Sequence, residues 1–325
     1  MASRISVVIP TYNRPQQLSS VLDKLLESDV DEFESVEIIV VDDGSPQPAE
    51  SVVKSKKTLD PFSLRYLRQE NSGPAKARNT GFDSASHEIV LFIDDDILVD
   101  KDLLRQHQLG HTEFPCSVIF GRCPLAPIFE GLPAKRYFDS LQAPFESEEG
   151  FERKSAIASG NLSVEKSMFE TGVYEGSLSI PGSEEFELAD RLNRLGIPIY
   201  QNNSAVGWHL QSPRIEDKCK QEFKYGISVG ETYLKMPNST LNQHFDNFIR
   251  VNGYIDWKND SSMLKVSKAI KAIASNEFVR SVLIRSTRVL EASGVSDKGL
   301  FLMYRVLSGL SLFAGVRRGL KNFHS

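Results

Sequence analysis

Ile89-Val90-Leu91-Phe92-Ile93-Asp94-Asp95-Asp96 sets five consecutive apolar residues directly against three consecutive carboxylates. An apolar run without a polar break reads as a strand buried on both faces, the habit of parallel sheets covered by helices. Three like charges at the end of such a strand repel one another and lose hydration, so the run calls for a positive partner. A divalent cation is the leading candidate. Carboxylates two apart on an extended segment point to one side, which would let Asp94 and Asp96 share a hard ion such as Mg2+ or Mn2+. The competing reading is a solvated acidic turn that caps the next helix.

Outward from this run, strand-like and helix-like segments alternate. Residues 5–9 and 36–41 are apolar runs, and 64–67 reads as a further strand. Residues 15–28 and 74–84 are helical, with Pro74 suited to a first turn. This alternation predicts an α/β fold with a parallel sheet. Polar residues gather where the strands end: Thr11-Tyr12-Asn13-Arg14, Asp42-Asp43-Gly44-Ser45, and the aspartate triplet. Ligands of open α/β sheets bind outside the carboxyl ends of strands, so these clusters predict a site.

Each cluster also has a plain structural reading. Asp42 and Asp43 suit an Asx turn, with Asp43, farther from the strand, freer to reach a ligand. Lys76 and Arg78 fit a solvated helix face, or a diphosphate if a metal lies beside them. Between 124 and 150 a Pro- and Gly-rich, partly acidic stretch predicts a long loop. Residues 156–164 resemble a strand interrupted by Gly160-Asn161, and 184–195 a helix closed by Gly196. On that helix Leu188, Leu192 and Leu195 form one stripe with Glu185 on the same face, while Glu184, Glu187, Arg191 and Arg194 form an ion-paired stripe. Glu185 is then the inward carboxylate, placed where the helix dipole also favours its ionised form.

Composition narrows the function. The chain has 325 residues, 40% hydrophobic and 25% charged, with a net charge of -5. That is a globular chain without the basic stripe of a nucleic-acid binder. Three cysteines with no C-x-x-C spacing suggest neither a disulfide framework nor a zinc site, and fit a reducing compartment. The apolar stretch after Arg4 is too short for a signal-peptide core, so a cytoplasmic location is expected. Neither G-x-x-x-x-G-K nor G-x-G-x-x-G follows a strand, which disfavours P-loop and dinucleotide enzymes. Residues 299–320 are apolar around most of a helix but interrupted by Arg305. They suit either packing on the domain or peripheral contact with the cytoplasmic face of a membrane.

Taken in order, V-V-I-P-T-Y-N-R (7–14), V-V-D-D-G-S (40–45), N-x-G-x-A-x-A-R-N-x-G (71–81), F-I-D-D-D (92–96) and G-S-E-E-F-E-L (182–188) resemble the inverting glycosyltransferases of family 2. The resemblance covers about 5–209. It implies the GT-A fold, a Rossmann-like mixed sheet flanked by helices, with a catalytic domain over 1–213. Its nucleotide-binding half would be 1–112 and its acceptor half 113–213, with a helical region at 214–325. It further implies a nucleotide-diphosphate sugar donor, a glycan or lipid-linked acceptor, and Mn2+ or Mg2+. Surface polysaccharide or glycolipid synthesis follows by analogy.

By the same resemblance Pro10, Thr11, Tyr12 and Arg14 belong to the donor site, Asp43 contacts the base, and Arg78 approaches the ribose or diphosphate. Asp94 and Asp96 match the acids of a D-x-D motif, Asp96 being the direct metal ligand and Asp94 nearer the ribose, with Asp95 between them. Gly160-Asn161 lies near the donor sugar. His209 is either a third metal ligand or structural. The catalytic base falls on Glu185, where the family usually has Asp, with Glu184 as the fallback. A non-catalytic sugar-binding relative would be expected to lose the inward acid or the metal acids, and both are present.

Overall fold

The apolar runs become the centre of one sheet. In the computed structural model, which describes residues 3–130, 132–142, 149–175, 182–212, 214–236, 241–293 and 297–322, β1 (Ser3–Thr11) pairs in parallel with β2 (Phe33–Asp42) and β4 (Ile89–Ile93). Strand β3 (Phe62–Arg68) extends the parallel set beyond β2. Alternation explains the unbroken hydrophobicity: Ile5, Val7 and Ile9 join one buried cluster with Leu18, Leu22 and Leu25 of α1 (Pro15–Leu26), while Val8 joins a second with Phe82 of α3 (Pro74–Ser84).

Past β4 the sheet becomes mixed. Strand β8 (Asn161–Glu165) runs antiparallel to both β4 and β6 (Val118–Arg122), β6 is parallel to β9 (Ile199–His209), and β5 (Ile97–Val99) and β7 (Phe151–Lys154) pair antiparallel with β9. The strand order is β3-β2-β1-β4-β8-β6-β9-β5, with β7 also on β9. Helices α2 (Glu50–Ser55), α4 (Leu103–Glu113) and α6 (Ser183–Leu195) complete the flanks. Register brings Thr11 level with Asp42, and Val8 opposite Phe92, so the ends of β1, β2 and β4 meet at one edge.

Two compact units are present. The first comprises Met1–Ile128, Gln142–Ser177 and Glu184–Gln211; the second comprises Phe129–Leu141, Leu178–Ser183 and Ser212–Ser325. The second unit holds α5 (Pro133–Gln142), α7 (Ile215–Lys235), α8 (Leu241–Asn252), α9 (Ser262–Ala274), α10 (Glu277–Ala292) and α11 (Asp297–Asn322). Helix α5 corrects the expected loop at 124–150. Its buried Tyr137 packs edge-on against Phe301 and tilted over Tyr304 of α11, a burial that outweighs the Pro and Gly content of its flanks.

Helix α11 is long and apolar enough to cross a membrane. In the structure it lies along α7, and the glycines of the two helices face one another. A Cβ on Gly315 would stand 2.1 Å from the Phe223 carbonyl oxygen, and one on Gly319 would stand 2.5 Å from that of Ile227. Backbones this close leave no room for lipid or side chains between them, so packing takes up that face of α11.

Candidate functional site

The aspartate triplet is a turn, not an extension of β4. The Ile97 amide donates to the Asp94 carbonyl at 3.1 Å, closing the chain on itself. The expected extended segment is therefore replaced by a turn, in which Asp95 and Asp96 share Arg14 and Asp94 is bonded to Arg78. Asp95 is the inward member, 5% exposed, accepting from Thr11 Oγ1 at 2.7 Å and from Arg14 Nη1 at 3.0 Å. Burial pushes its carboxyl up to about 6, against the pull of Arg14 and Thr11. Asp95 braces the turn rather than facing a ligand.

Asp96 shares the same guanidinium nitrogen. Arg14 Nη1 stands 2.7 Å from its Oδ2, and His209 Nε2, at the end of β9, 3.4 Å from its Oδ1. Burial disfavours its charge, but His209 and Arg14 together hold the carboxyl below the usual carboxylate range. Asp94 is bonded to Arg78, whose Nη2 donates to its Oδ1 at 2.6 Å. Among the described residues no trio of His, Cys, Asp or Glu stands at metal-ligand spacing; Asp96 and His209 approach each other as a pair. The guanidinium of Arg14 occupies the cationic position between Asp95 and Asp96.

Gly160 is explained by Asp94. Its carbonyl accepts from the Asp94 amide at 3.1 Å, and a Cβ there would lie 2.8 Å from Asp94 Oδ2. Gly160→Ala is expected to force that carboxylate off Arg78 and to cost about 1–3 kcal/mol, the usual price of overpacking, measured by chemical unfolding. Unchanged stability would mean that Asp94 has room to turn.

Asn161, expected near the donor sugar and acceptor, makes its bonds within the protein. It is fully buried, donates to the carbonyls of Ala205 and Arg122, and is bonded through Oδ1 to His107 Nε2 at 2.7 Å. His107 in turn meets Ser163, and burial lowers its imidazole to about 4, so it stays neutral. This network ties β8 to α4, β6 and β9 and fixes the backbone on which Gly160 sits.

At the second strand end Asp42 makes the Asx turn, accepting from the amides of Ser45 and Ala49 and from the Tyr66 hydroxyl. Asp43 is not free for a ligand as its distance from the strand suggested. Both of its oxygens are bonded within the protein, to Gln69 Nε2 and the Ser72 amide at Oδ1 and to the Gly73 amide at Oδ2, which shapes the approach to α3. Pro10 and Thr11 are buried, leaving Tyr12, 48% exposed, as the member of that trio open to a ligand.

Helix α6 carries two acids that both turn inward. Glu184 is 4% exposed and lies 3.4 Å from Arg78 Nη1 of α3, so its ion pair reaches across to another helix rather than along its own stripe; Leu195, expected on the apolar stripe, is 66% exposed at the helix end. The partners separate the acids better than helical phase does. Among the described residues Glu185 has no cation at ion-pair distance; its Oε1 accepts from the Ser159 amide at 2.8 Å and the Ser159 hydroxyl at 2.6 Å. Burial raises its carboxyl above the ordinary range and Glu184 adds to this, while the Ser159 bonds and Arg78 oppose it. A carboxylate raised in this way is a better proton acceptor.

Three further residues escaped the sequence motifs. Ser159 holds Glu185 but sits one place before Gly160-Asn161. Cys123, just past β6, has its thiol pushed up by burial and by the charges of Asp94, Asp96 and Glu185. Tyr174 is buried with its ring beneath the Arg78 guanidinium at 5.4 Å, and both its hydroxyl and Arg78 Nε lack hydrogen-bond partners. Such orphaned donors beside two acids are typical of sites that receive a ligand.

With this geometry in place, the comparisons decide the family. Residues 6–164 match the family model described as Glycosyl transferase family 2. Those residues form a family 2 glycosyltransferase domain. The chain is 31% identical over 102 residues to the minor teichoic acid biosynthesis protein GgaA of Bacillus subtilis (strain 168), covering 31% of this chain and 23% of that protein. It is 27% identical over 238 residues to validoxylamine A glucosyltransferase of Streptomyces hygroscopicus subsp. jinggangensis, covering 64% and 55%. The chain thus spans from about a quarter to about half the length of these curated relatives. A mannosyltransferase from Pyrobaculum calidifontis, solved with GDP-Man and Mn2+, is 16% identical with a TM-score of 0.59 over 95% of this chain and 86% of that one. The glycosyltransferase domain therefore has the GT-A fold.

Proposed function

We propose that the chain transfers a sugar from a nucleoside-diphosphate donor to an acceptor hydroxyl, with inversion at the anomeric carbon, in the assembly of a surface polysaccharide. The observation that carries this is the Glu185 carboxylate, held by two bonds from Ser159 and next in the chain to Glu184, whose partner Arg78 also holds Asp94. Glu185 takes the proton of the acceptor hydroxyl as that oxygen attacks the anomeric carbon. The bond to the diphosphate breaks on the opposite side, and its electron pair leaves with the nucleoside diphosphate. The family match, the teichoic acid relative and the cytoplasmic setting expected from the cysteines support this reading.

Asp96 and His209, with Asp94 alongside, offer the oxygen and imidazole donors that suit Mn2+ or Mg2+, and the solved mannosyltransferase holds Mn2+. Bound there, the ion would supply electrostatic stabilisation of the diphosphate. Arg14, whose side chain is 50% exposed, is the cation we place at the diphosphate; Arg78 is 5% exposed and already neutralises Asp94 and Glu184. Tyr12 would border the nucleotide.

A thermal-shift screen of nucleotide sugars with and without Mn2+ tests the reading. A donor at about 100 times its Kd should stabilise the protein by about 2.7 kcal/mol. The shift should require Mn2+, and Asp96→Asn should remove the metal-dependent part. No shift with any nucleotide sugar in the presence of metal would overturn it.

A further inference from the structure

Among the described residues of the C-terminal unit, two helices present exposed apolar faces. On α9, Met263, Val266, Ile270 and Ile273 recur at helical spacing and are 85%, 59%, 61% and 72% exposed. On α10, Phe278, Val282 and Val289 do the same at 76%, 45% and 68%. Scattered apolar residues on a surface are ordinary; two consecutive helices with exposed apolar stripes, that of α10 interrupted only by Arg285, are not.

These helices are well anchored on their other faces. Lys268 is buried and donates to Asp260 Oδ2 at 2.6 Å and to the Tyr254 carbonyl, and Thr287 is buried on α10. Ser261 and Asn276 cap the two N-termini by accepting from the amides of Leu264 and Phe278. The stripes are therefore the outward faces of formed helices.

Charge identifies the partner. Between residues 262 and 289 the chain carries six basic residues and one acid, Glu277. Lys268 is buried against Asp260, Lys271 and Arg280 lie over Phe313 and Phe223, and Arg288 pairs with Glu216, which leaves Lys265 and Arg285 as the cations at the stripes in a protein of net charge -5. Lys265 lies over the ring of Trp257, itself 76% exposed, and Arg285 is exposed beside the α10 stripe. Two copies meeting on these faces would set basic rims against each other. An anionic bilayer complements both features, since apolar side chains enter the acyl boundary while Lys and Arg stay at headgroup level. Helix α9, with 13 residues, is about 20 Å long and too short to span the hydrocarbon core.

We propose that α9 and α10 dock this chain on the surface of a membrane containing anionic lipid. This contact is distinct from the α11 segment at 299–320, one face of which is packed on α7, and it does not depend on the transferase reading.

Co-sedimentation of the full chain with vesicles of equal parts phosphatidylcholine and phosphatidylglycerol tests it. Binding is expected to be about tenfold or more weaker to phosphatidylcholine alone, and to weaken as salt shortens the Debye length from about 10 Å at 0.1 M to about 3 Å at 1 M. The double substitution Val266→Asp with Ile270→Asp should cut binding by about tenfold or more at unchanged Tm. Leu59→Asp, at an exposed leucine of the other unit, should not. Arg285→Glu with Lys265→Glu should remove most of the salt-sensitive part. Wild-type protein left in the supernatant, or equal binding by the Asp double variant, would overturn the proposal. So would a solution dimer that the Asp double variant dissociates, which would give the face to a second copy.

Discussion

Glu185→Gln is expected to lower transfer by about 10²–10⁴-fold, the range for removing a general base, while nucleotide binding persists. Glutamine keeps an Oε1 able to accept both Ser159 bonds, so the helix and the loop before β8 should stay in place. The lost function is proton acceptance. A pH profile gives a second readout: Glu185 must be ionised to act, so the acid limb of the wild-type rate should lie above the ordinary carboxylate range, as burial raises that group.

Stability should move the opposite way. A carboxyl whose folded value is raised favours folding most below its unfolded value, and that contribution is lost as pH rises through the folded one. At neutral pH wild-type protein therefore carries a buried charge that glutamine does not. The variant should be the more stable at neutral pH, and the difference should vanish in acid. Near-normal turnover would sink the assignment, and Glu184→Gln is the comparison to make, since Glu184 faces a guanidinium and Glu185 faces Ser159.

The sheet was legible because its central strands are buried on both faces, and the residues at their ends had nowhere else to gather. Ile89–Ile93 and the runs at 5–9 and 36–41 needed only local pattern. Side-chain direction beyond the strands was not legible. Alternation at Asp94–Asp96 fails because the chain turns there, and the bond that turns it, from Ile97 to Asp94, has no sequence signature. Asp43 looked free because its three partners come from the 69–73 segment, 26 to 30 residues away. Likewise Glu184 looked paired along its own helix because its cation, Arg78, lies 106 residues earlier in the chain. Long-range pairing of charges decides these roles, and a helical wheel cannot contain it.

That pairing sets the largest expected change in stability. Arg78 is 5% exposed and spans Asp94 at 2.6 Å and Glu184 at 3.4 Å, with Tyr174 against its plane. Burial works against its charge, and Asp94, Tyr174 and Glu184 more than restore it. Arg78→Met fills much of the same space but takes the guanidinium away from Glu184, whose side chain is 6% exposed, whereas water can reach Asp94 at 34%. Breaking a buried pair from one side costs about 3–5 kcal/mol, because an uncompensated charge stays inside. Lysine should recover only part of this, since a single ammonium cannot reproduce the fork that meets two carboxylates. Adding Glu184→Gln to Arg78→Met should restore much of the loss, and the double-mutant cycle measures the coupling directly. A loss below about 1 kcal/mol for Arg78→Met would mean that the pair is screened like a surface bridge. Stability regained in the double variant with donor affinity still lost would instead put the Arg78 guanidinium at the diphosphate, in place of Arg14.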